Sequence, residues 1–139
     1  LALDRSDPSL HFSIGWVREQ QGRFGEAIEA HNKAVDLSSG ATLYRASLGY
    51  SYALAGMQDE ARGILDELMR DQGASPYEIA ILQLGLGEHE QAIDWLEKAY
   101  EARDSHLIYI NQGPRFDPLR DNPRFVELLS RIDWLPASG

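Results

Sequence analysis

Gly22-Arg23-Phe24-Gly25-Glu26-Ala27-Ile28 returns as Gly56-Met57-Gln58-Asp59-Glu60-Ala61-Arg62 and again as Gly87-Glu88-His89-Glu90-Gln91-Ala92-Ile93. The leading glycines are 34 and then 31 residues apart. Seven residues past each shared alanine stands Ala34, Leu68 or Ala99, and seven before each glycine stands Gly15, Gly49 or Ala80. A repeat of this length is the mark of stacked units, each too small to bury its own apolar face.

Within a unit the apolar spacing is helical on both sides of the central glycine. Leu10, Ile14, Val17 and Gln21 recur at i, i+4, i+7, i+11, and Phe24, Ala27, Ile28, His31, Ala34 and Val35 follow the turn in the same way. Two amphipathic helices joined this tightly predict an antiparallel hairpin. Gly22, Gly56 and Gly87 fall at helix ends, where a positive φ suits glycine. Gly15 and Gly49 lie inside helical patterns, at a cost of about 1 kcal/mol relative to alanine. They predict close helix approach, with Ala80 as the equivalent small residue.

The set Ile14-Gly15, Gly22, Ala27, Ala34, then Leu48-Gly49, Tyr52, Gly56, Ala61, then Ile79-Ala80, Gly87, Ala92, Ala99 resembles the tetratricopeptide repeat, whose period is 34 residues. The likeness covers about residues 7–103. It departs at Arg18 and Gln83, where the family usually has an aromatic, at the proline missing after Leu37, and in a second unit three residues short. The resemblance implies an all-α, right-handed solenoid of helix hairpins: unit 1 at 7–40, unit 2 at 41–72 and unit 3 at 73–103.

Both ends break the period. Carried backward, the register makes 1–6 the end of a preceding repeat, so the chain reads as part of a longer array. Forward, 104–139 read as a helical cap: Pro114-Arg115-Phe116-Asp117-Pro118-Leu119, then Pro123-Arg124-Phe125-Val126-Glu127-Leu128-Leu129, with Phe125, Leu128, Leu129 and Ile132 on one stripe. Asp121 or Asn122 before Pro123 suits a helix start. The run from Ser75 to Arg120 is similar to the carboxy-terminal end of tetratricopeptide regions in large bacterial regulators. There a winged-helix, cyclase or Ser/Thr kinase domain precedes the repeats.

Composition narrows the functional classes. The chain of 139 residues is 43% hydrophobic, carries 13 Lys+Arg against 22 Asp+Glu for a net charge of −9, and has no cysteine. The acidic balance argues against nucleic acid and anionic membranes as partners. Absent thiols exclude disulfides, a thiol nucleophile and sulfur-ligated zinc. No apolar run reaches the ~20 residues of a membrane span. The reading points to the cytoplasm, or to the periplasm should a membrane segment precede the repeats.

No catalytic, metal or cofactor site is expected. Ser47 has Gly49 two residues on but Arg45 two residues before, which breaks the nucleophile elbow. Gly85-Leu86-Gly87 lacks the third glycine of a phosphate loop. His11, His31, His89 and His106 form no i, i+4 pair, and His31 on the apolar stripe reads as a packed imidazole. The chain is therefore read as a non-enzymatic interaction module.

The candidate binding surface is the face of each first helix turned away from its partner. If Leu10, Ile14 and Val17 meet the second helix, then Phe12, Trp16 and Glu19 look inward, as do Tyr50 and Leu54 in unit 2 and Tyr77 and Ile81 in unit 3. The resemblance implies that this inner face takes a peptide or partner domain. Trp and Tyr are the residue types that dominate binding energy. Positions where a carboxylate clamp for acidic chain ends would place Lys, Asn and Arg carry Phe12, Trp16, Leu43, Ser47 and Tyr50. A hydrophobic or basic partner is expected, or a second copy of the chain. The rival reading is a spacer whose groove is filled by its own tail, through Ile132, Trp134 and Leu135.

Overall fold

The computed structural model describes residues 5–111 and 114–132, and these residues contain helices and turns but no strand. Six helices pack in sequential pairs: α1 (Pro8–Gln20) with α2 (Phe24–Leu37), α3 (Thr42–Leu54) with α4 (Gln58–Arg70), and α5 (Pro76–Gly85) with α6 (His89–Glu101). Helix α1 begins where Asp7 Oδ1 accepts from Ser9 N at 2.9 Å and Pro8 fills a first-turn position. All three hairpins turn alike. Gly22, Gly56 and Gly87 have φ of 75°, 84° and 80°, and the residue after each donates back into the helix just ended: Arg23 N to Arg18 O, Met57 N to Tyr52 O, Glu88 N to Gln83 O.

The shortened link between the second and third hairpins is closed locally. Asp71 Oδ1 accepts from Gly73 N at 2.8 Å, and Ser75 and Glu78 form a reciprocal capping box at the start of α5. Glu78 Oε1 also accepts from Thr42 Oγ1 at 2.7 Å, tying the first turn of α5 to that of α3.

Small residues set which helix faces meet. A Cβ added to Gly15 would lie 2.6 Å from the His31 ring, and one added to Gly49 would lie 2.6 Å from Leu82 Cδ1. The closest packing of α1 is thus on the side bearing Gly15 and Glu19, both buried, and this corrects the expectation that Ile14 and Val17 carry it, while Leu10 is half-buried beside α2. Ile14 is 39% and Val17 46% exposed. The physical reason is that the glycine, not the larger apolar residues, leaves room for a ring. Ile14 instead joins Leu10 and Arg18 along an outer depression shared with Ala30 and Lys33 of α2.

Two apolar clusters follow one another along the stack. One joins the second and third hairpins through Ala46, Leu65, Leu68, Ile79 and Leu82. The other joins the third hairpin to the tail through Leu96, Leu107, Ile110, Phe116 and Phe125. The tail is a 3₁₀ turn at Ser105–Tyr109, another at Asp117–Leu119, and α7 (Pro123–Arg131). Asn122 caps α7 by accepting from Arg124 N at 2.9 Å. Phe116 and Phe125 stack with centroids 6.2 Å apart, and both are buried. On the surface Arg124 spans Glu90, Asp94 and Glu97 of α6. Leu1 to Asp4, read as part of a preceding repeat, and Trp134 and Leu135, read as groove fillers, lie outside the described residues.

Candidate functional site

On the inner side of the stack the tail returns across all three hairpins. Arg115 Nε donates to Glu19 Oε2 and Arg115 Nη2 to Glu19 Oε1, both at 3.0 Å, while Nη1 reaches Ser47 Oγ at 3.4 Å. Its guanidinium carbon sits 4.6 Å from the centroid of the Tyr50 ring. Ser51 Oγ donates to Glu19 Oε1 at 2.9 Å, which completes a polar cluster sealed inside apolar surroundings. Glu19 is 7% exposed, as is Arg115.

The electrostatics follow from that enclosure. Burial alone would raise the Glu19 carboxyl, but the nearby His31 imidazole and the Arg115 guanidinium outweigh it and hold the group below its ordinary value. Burial pushes His31 the other way for its type, below its ordinary value, so the ring is held neutral. His31 Nε2 lies 3.6 Å from Glu19 Oε1, and among the described residues neither ring nitrogen has a hydrogen-bond partner. Burial, reinforced by the Glu19 charge, raises the Tyr50 phenol to about 12.

Beside this cluster lies an open groove of about 390 Å³. Helix α1 supplies Phe12, Ser13, Trp16 and Val17; α3 supplies Leu43; α5 supplies Tyr77 and Ile81. The tail supplies His106, Tyr109, Arg115 and Phe116. Phe12 is braced by Tyr44 at 5.4 Å and His31 at 5.8 Å between ring centroids. Tyr77 is held between His106, stacked at 5.7 Å, and Phe116, tilted at 5.8 Å. The orientation of His106 is set by Asp104, whose Oδ1 lies 2.8 Å from Nδ1 and accepts from the His106 backbone N–H at 3.0 Å.

The residues expected on an open inner face therefore divide. Phe12 and Trp16 are half-buried and line the groove, with Tyr77 and Ile81 buried at its base. Glu19 and Tyr50 are not open to a partner, because Arg115 covers them. Leu54, 38% exposed, does not line the groove. Among the described residues the inner face is occupied by Arg115 and Phe116, and Ile132, expected as a groove filler, is buried in the cluster between tail and third hairpin. Sequence reasoning missed Val17, His106, Tyr109 and Arg115 as groove residues. The one available signal was an arginine set between Pro114 and Phe116 in an apolar capping motif.

Among the described residues no three His, Asp or Glu side chains gather as a metal would require, and no helix is long and apolar enough to cross a membrane. The family model of the tetratricopeptide repeat matches residues 8–40 and 77–106. Residues 41–76 fall outside both matches, although α3 and α4 pair around Gly56 there. No curated protein and no solved structure matches the chain.

Proposed function

We propose that these tetratricopeptide repeats, with the tail packed on them, form a non-enzymatic interaction module that holds a peptide or partner domain in the groove beside Phe12 and Trp16. The observation that carries this reading is an apolar groove flanked by half-buried Trp16 and by Val17 and Tyr109, which are 46% and 49% exposed. Rigid aromatic side chains contribute large contact area at low entropic cost, and Trp and Tyr are the types that dominate interfaces. Phe12, Trp16, Tyr77 and Ile81 act directly on this reading, while Glu19 and Tyr50 act by seating Arg115. The likeness of the segment from Ser75 to Arg120 to the ends of bacterial regulators supports a place in a larger regulatory protein.

The second reading, a spacer without a ligand, draws on one observation: Arg115 and Phe116 already occupy the Tyr50 side of the inner face. Affinity capture from the source cells separates the two. Proteins retained by the unaltered chain and lost by Trp16→Ala and by Tyr109→Ser, with melting temperatures unchanged, support the module. The absence of any specifically retained protein supports the spacer, and identical retention by all three chains places the partner site outside the groove. A second copy of the chain among the retained proteins identifies self-association.

A further inference from the structure

We infer that the groove reads an uncharged apolar or aromatic side chain of a partner peptide, and that Tyr109 of the tail is part of the reading surface. This rests on the groove being the partner site and goes further by naming what it takes. Charge complementarity decides the chemistry. No carboxylate lines the groove among the described residues; of the acids behind it, Glu19 is bound through both oxygens to Arg115, and Asp104 is engaged by His106 and the Tyr77 backbone N–H. Arg115 in turn spends its donors on Glu19 and Ser47 and its face on Tyr50. A charged side chain entering here would lose water and find no free counter-charge, which is costly. An apolar side chain meets Phe12, Trp16, Val17 and Leu43 on one side and Tyr109 on the other.

Size agrees with this occupant. A volume of about 390 Å³ lies at the small end of the ~300–1,000 Å³ range of pockets that enclose compact ligands, enough for one or two bulky side chains. The net charge of −9 draws cationic partners at long range, but that field acts outside the groove and sets encounter rate more than fit.

The full chain is titrated with four blocked amino acids, N-acetyl phenylalaninamide, leucinamide, argininamide and glutamic acid amide, while the Trp16 indole N–H and the backbone amides of Ser13, Val17 and Tyr109 are followed by NMR. The phenylalanine and leucine probes are expected to shift these signals saturably, and the charged probes are not. Tyr109→Ser, and separately Val17→Ser, should each weaken the phenylalanine probe by about fivefold. An arginine or glutamate probe binding as well as phenylalanine overturns the inference yet leaves the groove as a partner site. Silence from all four probes overturns the inference and the partner reading together. Unaltered phenylalanine binding in a folded Tyr109→Ser chain removes the tail from the site.

Discussion

Arg115 and Glu19 are 96 residues apart in sequence and joined by two parallel hydrogen bonds of 3.0 Å each, with both side chains less than a tenth exposed. The pair links the tail to the first helix, so it spans the whole stack. Desolvating two charges is expensive, and much of the cost is recovered only while both partners and the Ser47 and Ser51 hydroxyls are present.

Removing one partner should therefore hurt more than removing both. Arg115→Met is expected to lose about 3–5 kcal/mol, because it strands the Glu19 carboxylate, and Glu19→Leu should behave alike. The double variant should lose far less than the sum. Urea unfolding of the four chains gives the coupling energy directly.

Acid should destabilise the fold in two stages. His31 has a folded pKa below its ordinary 6.5, so the unfolded chain takes up the proton first and stability falls as pH drops below about 6.5, at no more than ~1.4 kcal/mol per pH unit for this single proton. Glu19 has a folded pKa below its ordinary 4.5, so its contribution is present above that value and lost as pH falls further. Urea midpoints at pH 7.5, 5.5 and 4 check the order. His31→Gln should flatten the first stage and shrink the second, because the imidazole is among the groups that hold the Glu19 carboxyl down.

Glycine replacements should split by position. Gly15→Ala would gain helix propensity but drive a methyl into the His31 ring, for a net loss of roughly 1–3 kcal/mol. Gly63→Ala in α4 meets nothing within 4 Å and should gain up to ~1 kcal/mol. Thermal melts that move both variants the same way would contradict the packing of α1 on α2.

The tail should behave as core. Phe125 has no exposed surface and stacks on Phe116, so Phe125→Ala or Phe116→Ala should cost about 3–5 kcal/mol. Truncation after Arg103 should expose Leu96, Tyr77 and Ile81 together and lower the melting temperature with aggregation. Light scattering during the melt distinguishes this from a tail that merely hangs on the third hairpin.

The hairpins were legible in the amino-acid order because their causes are local. A 3.6-residue period, a glycine at each turn and Asn122 before Pro123 act over a few residues, and the structure puts positive φ at Gly22, Gly56 and Gly87 and a cap at Asn122. His31 was legible as a packed ring for the same reason, and Phe12 and Trp16 as inner-face aromatics. Which faces of α1 meet which neighbours was decided by Gly15, since steric room for a ring outweighed the apolar character of Ile14 and Val17. Only the tertiary structure decided that Arg115 comes to Glu19, that Tyr50 lies beneath a guanidinium, and that Tyr109 faces a groove with Trp16. No period encodes such pairs. They arise when three stacked hairpins curve enough for a tail anchored by Phe116 and Phe125 to bring a charge from one end of the chain against its complement at the other.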